Sequence, residues 1–426
     1  MRIHAMTTQS SAVRQRRQLF SGLWRHPAFM KLWIGQSISQ VGSRITRDGL
    51  PLVAILIFGA TPAQMGLLVA FSAIPVLLLS LIIGAWVDRL PRRPLMLAAD
   101  LGRAGLLLTI PLAATTGHLS LGLLILITAS TNILGLVFDV AYQSFLPVLV
   151  SPPQVLEGNS KLATTESLAE IGGPAIAGLL IQLITAPLAI AFDALSFLFS
   201  AISLAFIQVD ESRPTVPGAD ESAPALRSEI RAGIRLVADQ PLLRSLVTVM
   251  GLRTFFGSFY GTLYSLYAIR DLGLTPTVLG ILIGAGGVGS LIGATLAQPL
   301  VRRFGLGWVL CGTLLFSAVI GFLTPLAGGP MLLVAGMMIA AQLFSDGAMT
   351  IYEINDMSVR QTIVSREWQG RTNATFGFIA QAVAPLGALT AGILATAFGD
   401  RLTIGIAALG GLAISLWALR LPLRRA

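Results

Sequence analysis

A single cysteine, Cys311, stands in the whole 426-residue chain, and its three histidines, His4, His26 and His118, lie far apart. One thiol excludes an intramolecular disulfide, and scattered histidines without cysteine partners give no zinc centre. Charge is also scarce, with Asp, Glu, Lys and Arg making up only 12% of the residues. No G-x-x-x-x-G-K-S/T loop occurs, so direct drive by nucleotide hydrolysis is not expected. Nothing in the sequence requires a cofactor. What fills the chain instead is apolar, with 54% hydrophobic residues and a mean hydropathy of +0.79. A chain of that composition cannot cover itself with a water-facing surface, and it reads as a polytopic membrane protein.

A bilayer core of roughly 30 Å takes about 20 apolar residues per helix. The sequence divides into twelve such segments: 31–57, 64–86, 95–115, 119–141, 163–185, 187–207, 243–269, 277–300, 307–327, 331–352, 372–398 and 401–420. They are continuously apolar and too long for the alternating strands of a barrel, so the expected fold class is an all-α membrane protein. Positive residues stay on the cytoplasmic side of a membrane. With the amino terminus inside, the inner segments hold 23 Lys and Arg, and the outer loops hold only Arg270 and Arg401. Both termini are therefore expected in the cytoplasm, with the chain as a multi-pass protein of the cell membrane. The first 25 residues carry Arg14, Arg16 and Arg17 without a secretory apolar core, and read as a cytosolic tail. The net charge of +9 follows from this topology, and no nucleic-acid partner is expected.

An internal repeat appears at an offset of 214: Pro27 with Pro241, Thr61-Pro62 with Thr275-Pro276, and Gly66 with Gly280. Repeated halves around a central site are common in transporters. The expected organisation is a cytoplasmic tail over 1–30, a six-helix half over 31–207, a cytoplasmic linker over 208–242, a second six-helix half over 243–420, and a short tail over 421–426. The linker contains the polar run DESRPTVPGADESAP and then an interfacial helix, with Leu226, Ile230, Ile234 and Val237 on one face and Arg227, Arg231 and Arg235 on another. Gly284, Gly286 and Gly289 spell a dinucleotide-loop pattern, but no strand precedes them and no acid follows at the required distance. They read as close-packing positions, with Gly280 and Gly284, and Gly289 and Gly293, as small-xxx-small pairs.

Between the second and third spans lies GAWVDRLPRRP, residues 84 to 94. Gly84-x-x-x-Asp88-Arg89-x-x-Arg92-Arg93 resembles the loop signature of the major facilitator superfamily. That resemblance implies twelve helices in two pseudo-symmetric halves, and a latch in which Asp88 ties the halves together on the inner side when the transporter faces outward. An aspartate there can accept charge-assisted bonds from arginines or sit at a helix amino end. Pro91 stands where the family usually has Gly, and the matching loop of the second half offers Arg302 and Arg303 without an acid.

Other segments resemble the drug-to-proton antiporter branch that includes macrolide and siderophore (enterobactin) exporters: FDVAYQSFLPVLV at 138–150, Asn159-Ser160, SVRQ at 358–361 and GRTNATFGF at 370–378. In the fifth span, Ala169-x-x-x-Gly173-Pro174-x-x-Ala177-Gly178 resembles the antiporter motif, with Ala replacing Gly at two positions. Its physical sense is a smooth, Pro-kinked helix that packs closely and seals against leak.

The first span carries Gln36, Gln40, Ser43, Arg44 and Arg47 as a polar stripe, followed by Asp48. Ionisable groups at membrane depth line water-filled cavities or pair with one another. Three readings follow: Asp48 accepts a proton in a central cavity, it pairs with Arg44 four residues earlier, or it lies near the outer interface and is solvated. Arg253 in the seventh span adds a buried cation and hints at anionic or carbonyl-rich substrates. Glu166 and Glu170 are a second pair for proton coupling, or partners of loop arginines. Asp100 and Arg103 are spaced to pair with each other or meet the arginines of the loop between the second and third spans, while Asp193 and Asp346 are pore or packing residues. The expected function is proton-coupled export of a small amphiphilic molecule by a monomer in the lipid bilayer. Uptake or lipid movement on the same fold, and a membrane sensor or intramembrane enzyme, are the alternatives.

Overall fold

The computed structural model describes residues 22–87, 89–209, 211 and 226–421. The tail arginines, Asp88, most of the polar linker and the last five residues lie outside them, as do the side chains of residues 226–232. Twelve long helices follow one another: α1 Pro27–Phe58, α2 Pro62–Val87, α3 Arg92–Thr115, α4 Leu121–Leu149, α5 Pro152–Ile184, α6 Ala186–Ala205, α7 Pro241–Leu266, α8 Pro276–Phe304, α9 Leu306–Gly321, α10 Met331–Ile363, α11 Arg366–Phe398 and α12 Asp400–Ala418. Ten of them, with α9 counted on to Leu326, are long and apolar enough to cross a bilayer by length and composition. The other two, α1 and α7, carry Arg44, Arg47 and Asp48, and Arg253, within their length.

Helix starts follow from local chemistry. The first two helices begin with Pro27 and Pro62, whose missing N–H needs no partner there. Thr61 and Gln64 form a reciprocal cap on α2, at 2.8 and 3.3 Å. Gly59 ends α1 in the left-handed conformation, φ 57°. Four helices run further than hydropathy suggests. The α5 and α10 helices have 33 residues each, about 50 Å at 1.5 Å per residue, so each extends well beyond the hydrocarbon. Polar residues end an apolar run without ending the helix, and α4 and α11 overshoot for the same reason.

Six crossings make each half, and twelve bring both ends of the bundle to one side, the terminal side. In the first half α1 packs on α5 and α6, and α3 on α4 and α6; in the second, α7 packs on α11 and α12, and α10 on α8 and α9. The halves meet mainly where α5 packs on α8 and α2 on α11. The linker helix Leu226–Asp239 lies against α7 and α11. Its Val237 is buried and Ile234 half exposed.

The apolar core shows how the halves are arranged. Away from the terminal side it is one continuous cluster, running from Leu52, Met65 and Ile181 through Phe259, Leu279 and Ala391. Towards the terminal side it splits. Phe29, Met96 and Phe145 belong to a core of the first half alone, and Leu246, Leu310 and Phe376 to one of the second half alone. The bundle is thus sealed on its far side and parted on the terminal side.

Glycine makes that seal, in a repeated pattern. A Cβ on Gly178 of α5 would collide with the carbonyl of Pro276 at the start of α8, and one on Gly280 of α8 with the carbonyl of Pro174. In the other seam, a Cβ on Gly392 of α11 would fall 2.8 Å from the Pro62 carbonyl oxygen, and one on Gly66 of α2 2.7 Å from that of Ala388. Each residue of one seam matches a residue of the other at the offset of 214. The glycine run of α8 serves packing on two sides: Gly284 and Gly287 meet Ile171 of α5, while Gly289 and Gly293 meet the α10 backbone at Leu343 and Gly347.

Candidate functional site

A cavity of about 720 Å³ lies inside the bundle, among the middle and later turns of its helices, within the usual size range of small-molecule sites. Most of its wall comes from the second half: α7, α8, α9, α10 and α12, with α1 as the first-half contribution. Arg47, Asp48 and Pro51 come from α1, Arg253, Phe256, Tyr260 and Tyr264 from α7, and Gln342, Ser345, Asp346 and Met349 from α10. Pro51 lies inside α1, next to the two charged residues, where it removes a helical hydrogen bond. The lining is amphiphilic, with aromatic faces beside hydroxyls and a few ionised groups.

The structure divides the polar residues of α1 between two tasks. Arg47 and Asp48 reach the cavity. Asp48 Oδ2 is buried without a hydrogen bond. Gln36 does not reach it: its Nε2 donates to Ser200 Oγ of α6 at 3.1 Å, in a buried seam. Gln36 lies twelve positions before Asp48, about 120° round the helix at 100° per residue. Gln40 is half-buried and also absent from the cavity wall. That seam is built on Gly35, Gly42 and Gly49, which let α1 approach α6 closely.

Arg44 does not pair with Asp48. Its Nη1 reaches Glu170 Oε1 of α5 at 3.3 Å, so the pair joins two helices. Gly173 makes room for it, because a Cβ there would stand 2.6 Å from the Arg44 Cβ. The α5 motif therefore acts in two directions: Gly173 accommodates Arg44 of α1, and Pro174 and Gly178 form the seam with α8. Glu166 is exposed and has no ion pair among the described residues. Arg253 is also neutralised, since its Nη2 lies 2.9 Å from Glu353 Oε1 of α10 and its Nη1 3.0 Å from Met349 Sδ. The sequence does not single out Glu353, although it lies 214 positions after Asp139 of the FDVAYQ segment. Asp346 accepts from Gln342 Nε2 at 2.7 Å, and Gly286 leaves the space that these two side chains occupy. The cation-rich cavity expected from Arg44 and Arg253 is thus closer to balanced.

The loop signature is held largely by the first half. The backbone N–H groups of Arg92 and Arg93 donate to the two carboxylate oxygens of Glu211 at 2.6 and 2.9 Å. Arg93 Nε donates to the Leu204 carbonyl at the end of α6, at 2.9 Å. Arg89 is exposed, and nothing lies within contact of a Cβ on Gly84. Asp100 and Arg103 pair in the interior. Among the described residues no three His, Cys, Asp or Glu side chains gather to hold a metal ion.

Comparison with known proteins gives a consistent family. Residues 20–426 match the family model described as transmembrane secretion effector. The multidrug efflux pump Tap of Mycobacterium tuberculosis (strain ATCC 25618 / H37Rv) is 27% identical over 411 residues, 94% of each chain. A bacterial homologue of the iron transporter ferroportin, solved in an inward-facing state, superposes with a TM-score of 0.74 at 18% identity, covering 94% of this chain and 99% of that one. The outward-facing structure of a bacterial ferroportin homologue gives 0.57 at 20% identity, with coverage of 92% and 98%. These structural likenesses concern the fold.

Proposed function

The chain belongs to the transmembrane secretion effector family of major facilitator transporters, and from that premise we propose that it exports small amphiphilic molecules in exchange for protons. The observation that carries the proposal is the cavity inside the bundle, where the aromatic faces of Phe256, Tyr260 and Tyr264 share a wall with the Asp48 carboxylate. The drug-efflux assignment of Tap, aligned over nearly the full chain, supports the same direction and substrate type. Macrolides and siderophores are the substrate types that the sequence segments favour.

The terminal side is the cytoplasm in this reading, as the excess of arginine there requires. The structure then corresponds to an inward-open state, and the better superposition on the inward-facing homologue agrees with it. Substrate enters from the cytoplasm or inner leaflet and rests among the aromatic residues. Rocking of the halves would part the glycine seams on the far side and close the terminal side, where Asp88 acts as the latch. Asp48 takes up a proton from outside as substrate leaves, because an unpaired buried carboxylate is costly once its cavity is emptied of competing charge. Arg47, Arg44 and Arg253 set the field around it, with Glu166 and Glu170 on the proton's route.

Inverted membrane vesicles holding the protein, with a pH-sensitive dye inside, test this. Addition of a macrolide, a dye or a catecholate siderophore is expected to dissipate an imposed pH gradient in the parent and not in Asp48→Asn. A parent that moves none of these compounds against a proton gradient would refute proton-coupled export.

A further inference from the structure

Behind the cavity, in the first half, lies a second ionisable cluster that no exported molecule can touch. Asp100 and Arg103 of α3 and Asp193 of α6 are buried, at 0%, 8% and 1% exposure. Arg103 is bonded to Asp100 and lies between the rings of Phe138 and Phe197, 4.6 and 4.1 Å from their centroids. Arg103 and Asp100 are the charged groups that act on Asp193 from its surroundings. Thr46 of α1 sits against the same carboxylate, and Ser196 Oγ donates to Asp193 Oδ1 at 3.0 Å. Gly42 of α1 is cut away at this point, since a Cβ there would stand 2.6 Å from Asp193 Oδ1.

The charge count does not close. Two buried carboxylates share one guanidinium, and Arg103 is already committed to Asp100. A second ionised carboxylate in so dry a place would carry an uncompensated desolvation cost. Asp193 Oδ2 is buried without a close hydrogen bond, with the Thr46 hydroxyl beside the carboxylate. A proton on Oδ2 removes the surplus charge and gives the carboxyl a donor. A further acid that Arg103 acts on, Asp139 of α4, is exposed and is also acted on by Glu166, so it adds negative charge to the region.

We propose that Asp193, with Asp100 and Arg103, forms a proton-binding site inside the first half, holding one proton in this conformation and exchanging it in the transport cycle. The site deepens the proton-exchange reading above and rests on it for the coupling role, but its occupancy stands independently. Asp193 binds the proton, while Asp100 is a positioning residue that keeps the guanidinium away from Asp193. That division has a specific consequence. Without Asp100 the Arg103 charge is free to pair with Asp193, which then ionises.

Infrared spectroscopy of the purified protein at neutral pH reads the occupancy directly. The band of protonated carboxyl groups is expected to lose the intensity of one group in Asp193→Asn, and to lose the same intensity in Asp100→Asn. Asp193→Asn should unfold at the parent's temperature, because a neutral group replaces a neutral group of the same shape. An unchanged band in Asp193→Asn would mean that this carboxyl is ionised, and would overturn the proposal. Transport of a radiolabelled macrolide in proteoliposomes tests the coupling role. Accumulation driven by a pH gradient should be lost in Asp193→Asn while exchange of labelled for unlabelled macrolide persists, and unaltered gradient-driven accumulation would refute that role. If the parent itself ignores the gradient while exchanging macrolide, proton-coupled export fails and the infrared result still decides occupancy.

Discussion

Gly280 of α8 packs against the carbonyl of Pro174 in α5 with no space for a side chain between them. The matched contact, Gly66 of α2 against Ala388 of α11, lies 214 positions away from each partner. Two related seams thus close the far side, and both must part for the cavity to open there.

Enlarging one seam residue should bias the protein towards the far-side-open state. Overpacking of a close contact costs about 1–3 kcal/mol, which corresponds to a population shift of about fivefold to a hundredfold or more. Gly280→Val is expected to expose a cysteine introduced at Ser265, on the cavity wall, to an impermeant maleimide added from the far side. Cys311 is buried and gives little background. Gly336→Val, where a Cβ meets nothing within 4 Å, is the control that should label like the parent. Equal labelling of all three proteins would show that the seam does not limit opening.

Arg103 should be among the most costly side chains to remove. Deleting one partner of a buried ion pair costs about 3–5 kcal/mol, because the other charge is left in a dry site. Arg103→Gln is therefore expected to lower the thermal unfolding temperature in detergent markedly, and addition of Asp100→Asn should recover most of the loss. A double variant as unstable as the single one would show that ring packing against Phe138 and Phe197, and not charge, is what Arg103 contributes.

The Arg253–Glu353 pair should behave in the opposite way. The Glu353 side chain is 60% exposed, and such pairs contribute about 0–1 kcal/mol. Arg253→Gln is expected to leave unfolding nearly unchanged while altering macrolide binding, measured as the dissociation constant by scintillation proximity. The swapped pair, Arg253→Glu with Glu353→Arg, should restore part of the affinity if the pair orients the wall, and none if substrate contacts the guanidinium itself.

Much of the fold is legible in the sequence because bilayer thickness sets helix length, and the repeat shows in Thr61-Pro62 and Thr275-Pro276, which start matched helices. The site is less legible. Polar spacing on α1 locates a stripe but not what faces it, and only the structure separates Gln36, bonded to Ser200, from Asp48, which reaches the cavity. Arg44 and Asp48 have the spacing of an intrahelical pair, yet Gly173 brings Arg44 onto α5 and Glu170 takes the charge. Asp193 looks like an isolated polar residue in an apolar run. Its meaning depends on α3 lying beside it, a contact between residues nearly a hundred positions apart.

Glu211 supplies the last test, because its carboxylate receives the first two N–H groups of α3 from Arg92 and Arg93. A side-chain acceptor at a helix start contributes about 0.5–2 kcal/mol, and a carboxylate there also gains from the helix dipole. Arg93 meanwhile caps the other end of the same junction, donating to the last carbonyls of α6. The two contacts tie α3, α6 and the beginning of the linker into one unit on the terminal side. Glu211→Ala is therefore expected to speed amide hydrogen exchange at the first turn of α3 while leaving exchange within α8 unaltered. If exchange at Arg92 and Arg93 stays as slow as in the parent, the cap is dispensable. The loop arginines would then be held by Arg93 and the α6 carbonyls alone.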